Sequence, residues 1–234
     1  MNHRAVYRNA AACILSLAIT APAFAGIVIT GTRVVYPAGE REVTVKIDNR
    51  GDKPVLAQSW VDDGDASATP ETARAPFTVT PPVNRINPGK GQTLRLMYTG
   101  ESLPKDKESV FWLSVLEVPP MNKEKQNQLQ MAFRSRIKIF YRPSGLAGNA
   151  NLAGQSVSWK KANGGVEGTN PTPYYVSLAN IAQDKEGKQP IGSGGMIPPG
   201  GKAFFATNKS LLTIYPSYIN DFGGVNPIPQ PVAP

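Results

Sequence analysis

The chain offers few residues that could do covalent or metal chemistry. Its one cysteine, Cys13, and its one histidine, His3, both fall within residues 1–25. That segment has the layout of an export signal: Arg4 and Arg8 without an acid, an apolar run from Ala11 to Ile19, and Ala23-Phe24-Ala25 before Gly26. Its apolar core is well short of the ~20 residues that cross a bilayer, so a cleaved signal and no membrane insertion are expected. A mature chain starting at Gly26 has neither thiol nor imidazole. Cysteine nucleophiles, disulfides, Ser-His-Asp triads and zinc held by Cys or His are thereby excluded, and no cofactor is expected. Carboxylates, lysines and tyrosines remain. Asp62-Asp63-Gly64-Asp65 lacks the ligand spacing and closing Glu of a calcium loop and reads as a polar turn. Gly192 to Gly195 lacks the Lys and following Ser/Thr of a phosphate loop and reads as a hairpin turn.

Charge narrows the partners. The signal takes two of the 25 Lys and Arg and none of the 17 acids, leaving 23 against 17, a net charge of +6. No block of like charges stands out, and with export this argues against nucleic acid. An acidic protein partner or a carboxylate suits the balance better.

The elements that would position such a site are strands. Arg41 to Asp48 alternates, with Val43, Val45 and Ile47 on one face and Glu42, Thr44, Lys46 and Asp48 on the other. Further strands are expected at Ile27 to Tyr36, Val55 to Val61, Phe77 to Thr80, Thr93 to Tyr98, Ser109 to Val118 and Leu129 to Tyr141, with turns such as Asn49 to Asp52 and Asn87 to Gly89 between them. Seven short strands suggest an immunoglobulin-like sandwich. After Pro143 the composition turns small and flexible, Ser144 to Gly154, like a linker or the loose start of a second unit. Domains are therefore expected over 26–145 and 146–234, the second with shorter strands at Val157 to Lys160, Tyr174 to Ile181, Lys202 to Ala206 and Leu212 to Ile219. The tail from Val225 carries four prolines in ten residues and is expected to be disordered.

Leu129 to Tyr141 would run thirteen residues, where strands commonly have ~5 to 6. Leu129, Met131 and Phe133 make an apolar stripe near its start. One reading is a core strand of the first domain. The other is an edge projecting beyond the core, whose backbone pairs with a partner strand while the stripe fills the partner's groove. Occupation by a client, or by another copy of the chain, would protect such an edge. Lys138 has the opposite parity to the stripe, which requires twist, a bulge or two different partners.

Arg136-Ile137-Lys138-Ile139-Phe140-Tyr141-Arg142-Pro143 resembles the signature of the periplasmic pilus-assembly chaperones of the chaperone–usher pathway. Thr32 to Pro37, Gln58 to Asp62, Phe111-Trp112, Glu117 to Pro120, Asn170 to Tyr174 and Ile219 to Gly223 resemble further blocks of that family in the same order. The resemblance implies an all-β protein of two immunoglobulin-like β-sandwich domains in a boomerang, acting in the periplasm and not an enzyme. By motif position, Arg33 and Lys138 would anchor the C-terminal carboxylate of a pilin subunit. Leu129, Met131 and Phe133 would complete the subunit's fold by strand donation, and an outer-membrane usher would then take the subunit over. Glu108, Arg142 and Asp221 match an interdomain ion-pair network; as exposed pairs are typically worth under ~1 kcal/mol, they are expected to orient the domains more than stabilise them. The short connection from Pro120 to Leu129 resembles the short-loop subclass serving rod-like pili. Two other classes compete on composition alone. A sugar-binding adhesin would use exposed Trp60, Trp112 or Trp159, and a hydrolase would work with two carboxylates. Neither needs Arg33, Lys138 and the stripe together.

Overall fold

The structure, a computed structural model, describes residues 26–120, 130–207 and 213–228, with the side chains of 192 and 193 also left aside. The export segment, Leu129 and the connection before it lie outside the described residues. Among the described residues nine strands build the first unit: β1 (Ile27–Ile29), β2 (Arg33–Pro37), β3 (Val43–Asn49), β4 (Val55–Asp62), β5 (Phe77–Thr80), β6 (Val83–Ile86), β7 (Gly91–Tyr98), β8 (Ser109–Val118) and β9 (Phe133–Arg142). They form two facing sheets, ordered β1-β3-β7-β5 and β2-β9-β8-β4-β6. The alternation in β3 buries Val45 and Ile47 against Leu94 and Leu96 of β7, as a half-buried strand requires. At one end Tyr36, Phe77, Tyr98, Phe111 and Tyr141 form a ring cluster. The Tyr36 hydroxyl is satisfied there, donating toward the Glu40 and Arg41 carbonyls and accepting from the Tyr98 amide at 3.1 Å.

The expected strand from Ile27 to Tyr36 is two strands. The chain leaves one sheet after Ile29 and enters the other at Arg33. The crossover turns at Gly31, whose φ of +91° suits a residue without Cβ. Alternation alone could not reveal the change, because both halves bury the same kind of side chain.

The second unit has β10 (Ser158–Ala162), β11 (Gly165–Thr169), β12 (Val176–Ala182), β13 (Pro190–Ile197), β14 (Lys202–Ala206), β15 (Tyr215–Ile219) and β16 (Val225–Pro227), in sheets ordered β10-β11-β14 and β13-β12-β15-β16. Three expectations are corrected here. Gly192 to Gly195 is not a hairpin turn but the middle of β13; a Cβ on Gly194 would stand 2.3 Å from the Leu178 carbonyl oxygen, so the strand needs glycine to pack this closely. The tail is not wholly irregular, because Val225–Pro227 pairs with β15 as an edge strand, where proline's missing N–H costs nothing. The small-residue stretch after Pro143 is no loose linker: it contains a 3₁₀ turn, Ala150–Ser156, capped by the Asn149 side chain and burying Ala153.

Asn170 ties this unit together. Its buried amide donates to the carbonyls of Tyr174 at 2.7 Å, Pro198 at 3.1 Å and Ile197 at 3.3 Å, and its oxygen accepts from the Thr172 amide and hydroxyl. Asn170→Ala strands these groups without partners and is expected to cost about 2 kcal/mol. Urea unfolding should show an earlier transition; an unchanged midpoint would mean that water replaces the amide.

Candidate functional site

The two units meet on an arginine at the end of β9. Arg142 donates from Nε to Glu108 Oε1 at 2.6 Å, and from both terminal nitrogens to the two Asp221 oxygens at 2.8 Å. Its planar fork thus holds a carboxylate from each unit, with the guanidinium 5.4 Å over the Tyr174 ring. Glu108 also accepts from the Tyr175 amide at 2.8 Å, and Asp221's amide donates to Asn151 Oδ1 at 3.0 Å. The Glu108 side chain is only 2% exposed. Burial pushes its carboxyl above the usual range, against the pull of Arg142 and the Tyr175 hydrogen bond. Burial likewise disfavours the Arg142 cation, but its bonds to Asp221 and Glu108 outweigh that and raise it overall. Glu108, Arg142 and Asp221 therefore do not form the exposed network whose energy was expected to be slight.

Arg33 and Lys138 stand on the same side of the same sheet, directly opposite each other where β2 begins its parallel pairing with β9. Arg33 reaches the second unit, donating from a terminal nitrogen to the Ile219 carbonyl at 3.0 Å, and lies 5.5 Å over the Phe140 ring. Burial lowers the Arg33 pKa, opposed by Asp221 and Glu108. Burial, then the neighbouring Arg33 charge, pushes the Lys138 ammonium below its usual range. Among the described residues neither cation makes an ion pair. Two like charges held together and half desolvated favour an anion between them.

The strand leading to them starts at Phe133, not Leu129. Its ladder partner β8 reaches Val118 and is followed by Pro119-Pro120, which cannot donate, so pairing stops at Phe133–Glu117. Met131 lies just outside the strand at 55% exposure and Phe133 is 59% exposed. From Phe133 to Tyr141 the register with β8 has no shift, so no bulge absorbs the parity difference. Ile137, Ile139 and Tyr141 share Phe133's parity and pack in the core, while Lys138 is on the other face with Arg33. The two faces of one straight strand are put to different uses.

Part of this strand is paired on one side only among the described residues. β2 covers β9 only from Lys138 to Arg142, and Phe133 to Ile137 pair with β8 alone. Among the described residues the other edge of that stretch has no backbone partner.

Sequence reasoning missed the groups that hold these residues in place: the Tyr175 amide, the Ile219 carbonyl, Asn151 and Phe140. Only Phe140 could have been found, since it shares Lys138's parity within the signature. The side chains expected of rival functions are engaged elsewhere. Trp60 and Trp159 are buried, and Trp112 lies 5.6 Å beneath Arg136. The Asp62 carboxylate is buried, pairing with Arg136 and accepting from Ser114.

Two linked β-sandwiches with an open strand edge ending at paired cations make a protein-binding module. Comparison with known proteins gives its family. Residues 26–147 match the family described as "Pili and flagellar-assembly chaperone, PapD N-terminal domain", and residues 153–230 match "Pili assembly chaperone PapD, C-terminal domain". The chain is 45% identical over 226 residues to the chaperone protein FimB/FhaD of Bordetella pertussis, covering 93% of each. Its structure resembles the CupB2 chaperone of Pseudomonas aeruginosa, with a TM-score of 0.75 and 40% identity over 88% of this chain and 99% of that one. It also resembles the Salmonella enterica SafB chaperone solved in complex with the SafA pilin, with a TM-score of 0.77 and 29% identity over 91% and 97% of the two chains. The chain belongs to the pilus-assembly chaperone family, whose members are chaperones and not enzymes.

Arg142→Ala leaves Glu108 buried without its cation and should destabilise the protein by about 3 kcal/mol at neutral pH. Without Arg142 the folded pKa of Glu108 rises further above its unfolded value of about 4.3. The stability deficit should therefore be least below the unfolded pKa and grow as pH rises through the folded one. Urea titrations of wild type and variant across pH check this; a deficit independent of pH would place the cost elsewhere.

Proposed function

We propose that this chaperone holds a pilus subunit by lending it β9. The subunit's last strand lies along the open edge at Phe133 to Ile137, in line with β2, and its terminal carboxylate sits between Arg33 and Lys138. The observation that carries this is the pair of half-buried cations that make no ion pair among the described residues, placed where the edge left unpaired among those residues ends. It also sets the direction of the guest strand. A guest running parallel to β9 brings a carboxylate to the cations, whereas an antiparallel one approaches them with its own sequence reversed and its amino terminus foremost.

In this arrangement the stripe that includes Met131 and Phe133, with Leu129 preceding them, enters the subunit's groove. An incomplete subunit would otherwise expose that apolar groove and aggregate. The large exposure of Met131 and Phe133, side chains that add nothing to this protein's own core, supports the role. The solved complex of SafB with a pilin supports a subunit as the guest. The family is periplasmic in general, and the chain carries its own export-like segment, so this chaperone works in the periplasm and passes its subunits to an outer-membrane usher. When no subunit is bound, a second copy of the chain can cap the same edge.

Arg33→Ala and Lys138→Ala, co-expressed in the periplasm with a pilus subunit, are each expected to lower recovery of the soluble complex at least about tenfold, the equivalent of one charge-assisted hydrogen bond. The variants should keep the wild-type melting profile. Undiminished complex from both would sink the anchor role, and undiminished subunit protection by the double variant Met131→Glu, Phe133→Glu would sink strand donation.

A further inference from the structure

The turn between β15 and β16 displays a residue that neither the ion pairs nor the strand edge employ. Phe222 is 90% exposed, the most solvated large apolar side chain among the described residues. Its backbone is nevertheless pinned on every side. Asn220 Oδ1 accepts from the amides of Phe222 at 3.1 Å and Gly224 at 2.8 Å, and the Asn220 amide donates to the Gly224 carbonyl at 2.9 Å. Asp221 on one side is locked to Arg142. Gly223 on the other has φ of +83°, and a Cβ there would stand 2.6 Å from Thr32 Oγ1. The turn is thus pressed against the residue before Arg33, and the Ile219 carbonyl just ahead of it accepts from Arg33. An aromatic ring this exposed adds little packing to the free protein. Holding it on a hydrogen-bonded turn packed against Thr32, the neighbour of Arg33, removes in advance the ordering cost of a contact.

We propose that Phe222 is a further contact for the bound subunit, packing on the side chain of its terminal residue while Arg33 and Lys138 hold the carboxylate. The proposal rests on the carboxylate reading above and adds a preference to it: the site selects an apolar last residue. The second domain then takes part in recognition directly, through the ring, as well as through its hold on Arg33. Aromatic side chains are the usual anchors of such contacts because they bring a large area with few rotatable bonds.

The test uses synthetic peptides of alternating valine and threonine, ending in phenylalanine or in serine, each as free acid and as amide, titrated against the full chaperone. Wild type should bind the free acid ending in phenylalanine about tenfold more tightly than the one ending in serine, and the amides only weakly. Phe222→Ala should erase the phenylalanine preference, keep the preference for acid over amide, and melt like wild type. Phe222→Leu should restore much of the preference. Arg33→Ala should lose the acid preference. A Phe222→Ala protein that still favours phenylalanine overturns the contact and leaves the anchor standing. A wild type that binds no peptide, or binds acid and amide alike, overturns the anchor and the contact together.

Discussion

Glu108 is a carboxyl group almost fully withdrawn from water between two domains, where burial works against its charge and Arg142 and the Tyr175 amide work for it. The same arginine grips Asp221, the residue that opens the turn between β15 and β16. That grip keeps the Ile219 carbonyl within reach of Arg33 and the following turn against Thr32. The position of the second domain and the aim of Arg33 are therefore one problem with one solution. Loosening the buried pair would move Arg33 and with it the proposed seat of the guest, whatever else it did to stability.

In the complex proposed above, strand pairing and charge divide the labour of binding. The backbone edge of β9 offers hydrogen bonds to any extended chain, so by itself it discriminates poorly. In the proposed complex the cations would stop that chain at one place, and in doing so fix which of its side chains face the groove, because a slip of one residue turns every side chain over. Register here is set from the end of the guest strand rather than from its middle.

Much of the fold was written in the alternation of β3, β7 and β8, where half-buried strands must repeat every two residues. Ser109–Val118 begins and ends where the pattern does. The site was legible only through resemblance: nothing in the local sequence distinguishes Lys138 from a solvated surface lysine, since its meaning comes from Arg33, far off in the chain. Where local reasoning failed, tertiary contact decided. Gly194 looked like turn chemistry but is dictated by the backbone of β12 pressing on it. Glu108 looked like a surface acid because its burial depends on the second domain. The parity puzzle dissolved for a similar reason, since a strand at a domain boundary has two environments as well as two faces.

The crossover at Gly31 has a further meaning. If the chain ran straight back from Arg33 in the register it has with Lys138, Thr32 would lie beside Ile137 and Val28 beside Phe133, and the leading segment would seal its own edge. Instead Ile27–Ile29 joins the opposite sheet with β3. The opening beside β9 has the length and direction of a strand that the molecule owns and withholds. Among the described residues the sandwich stops one half-strand short of closing on itself, and that half-strand is what the proposed guest would supply.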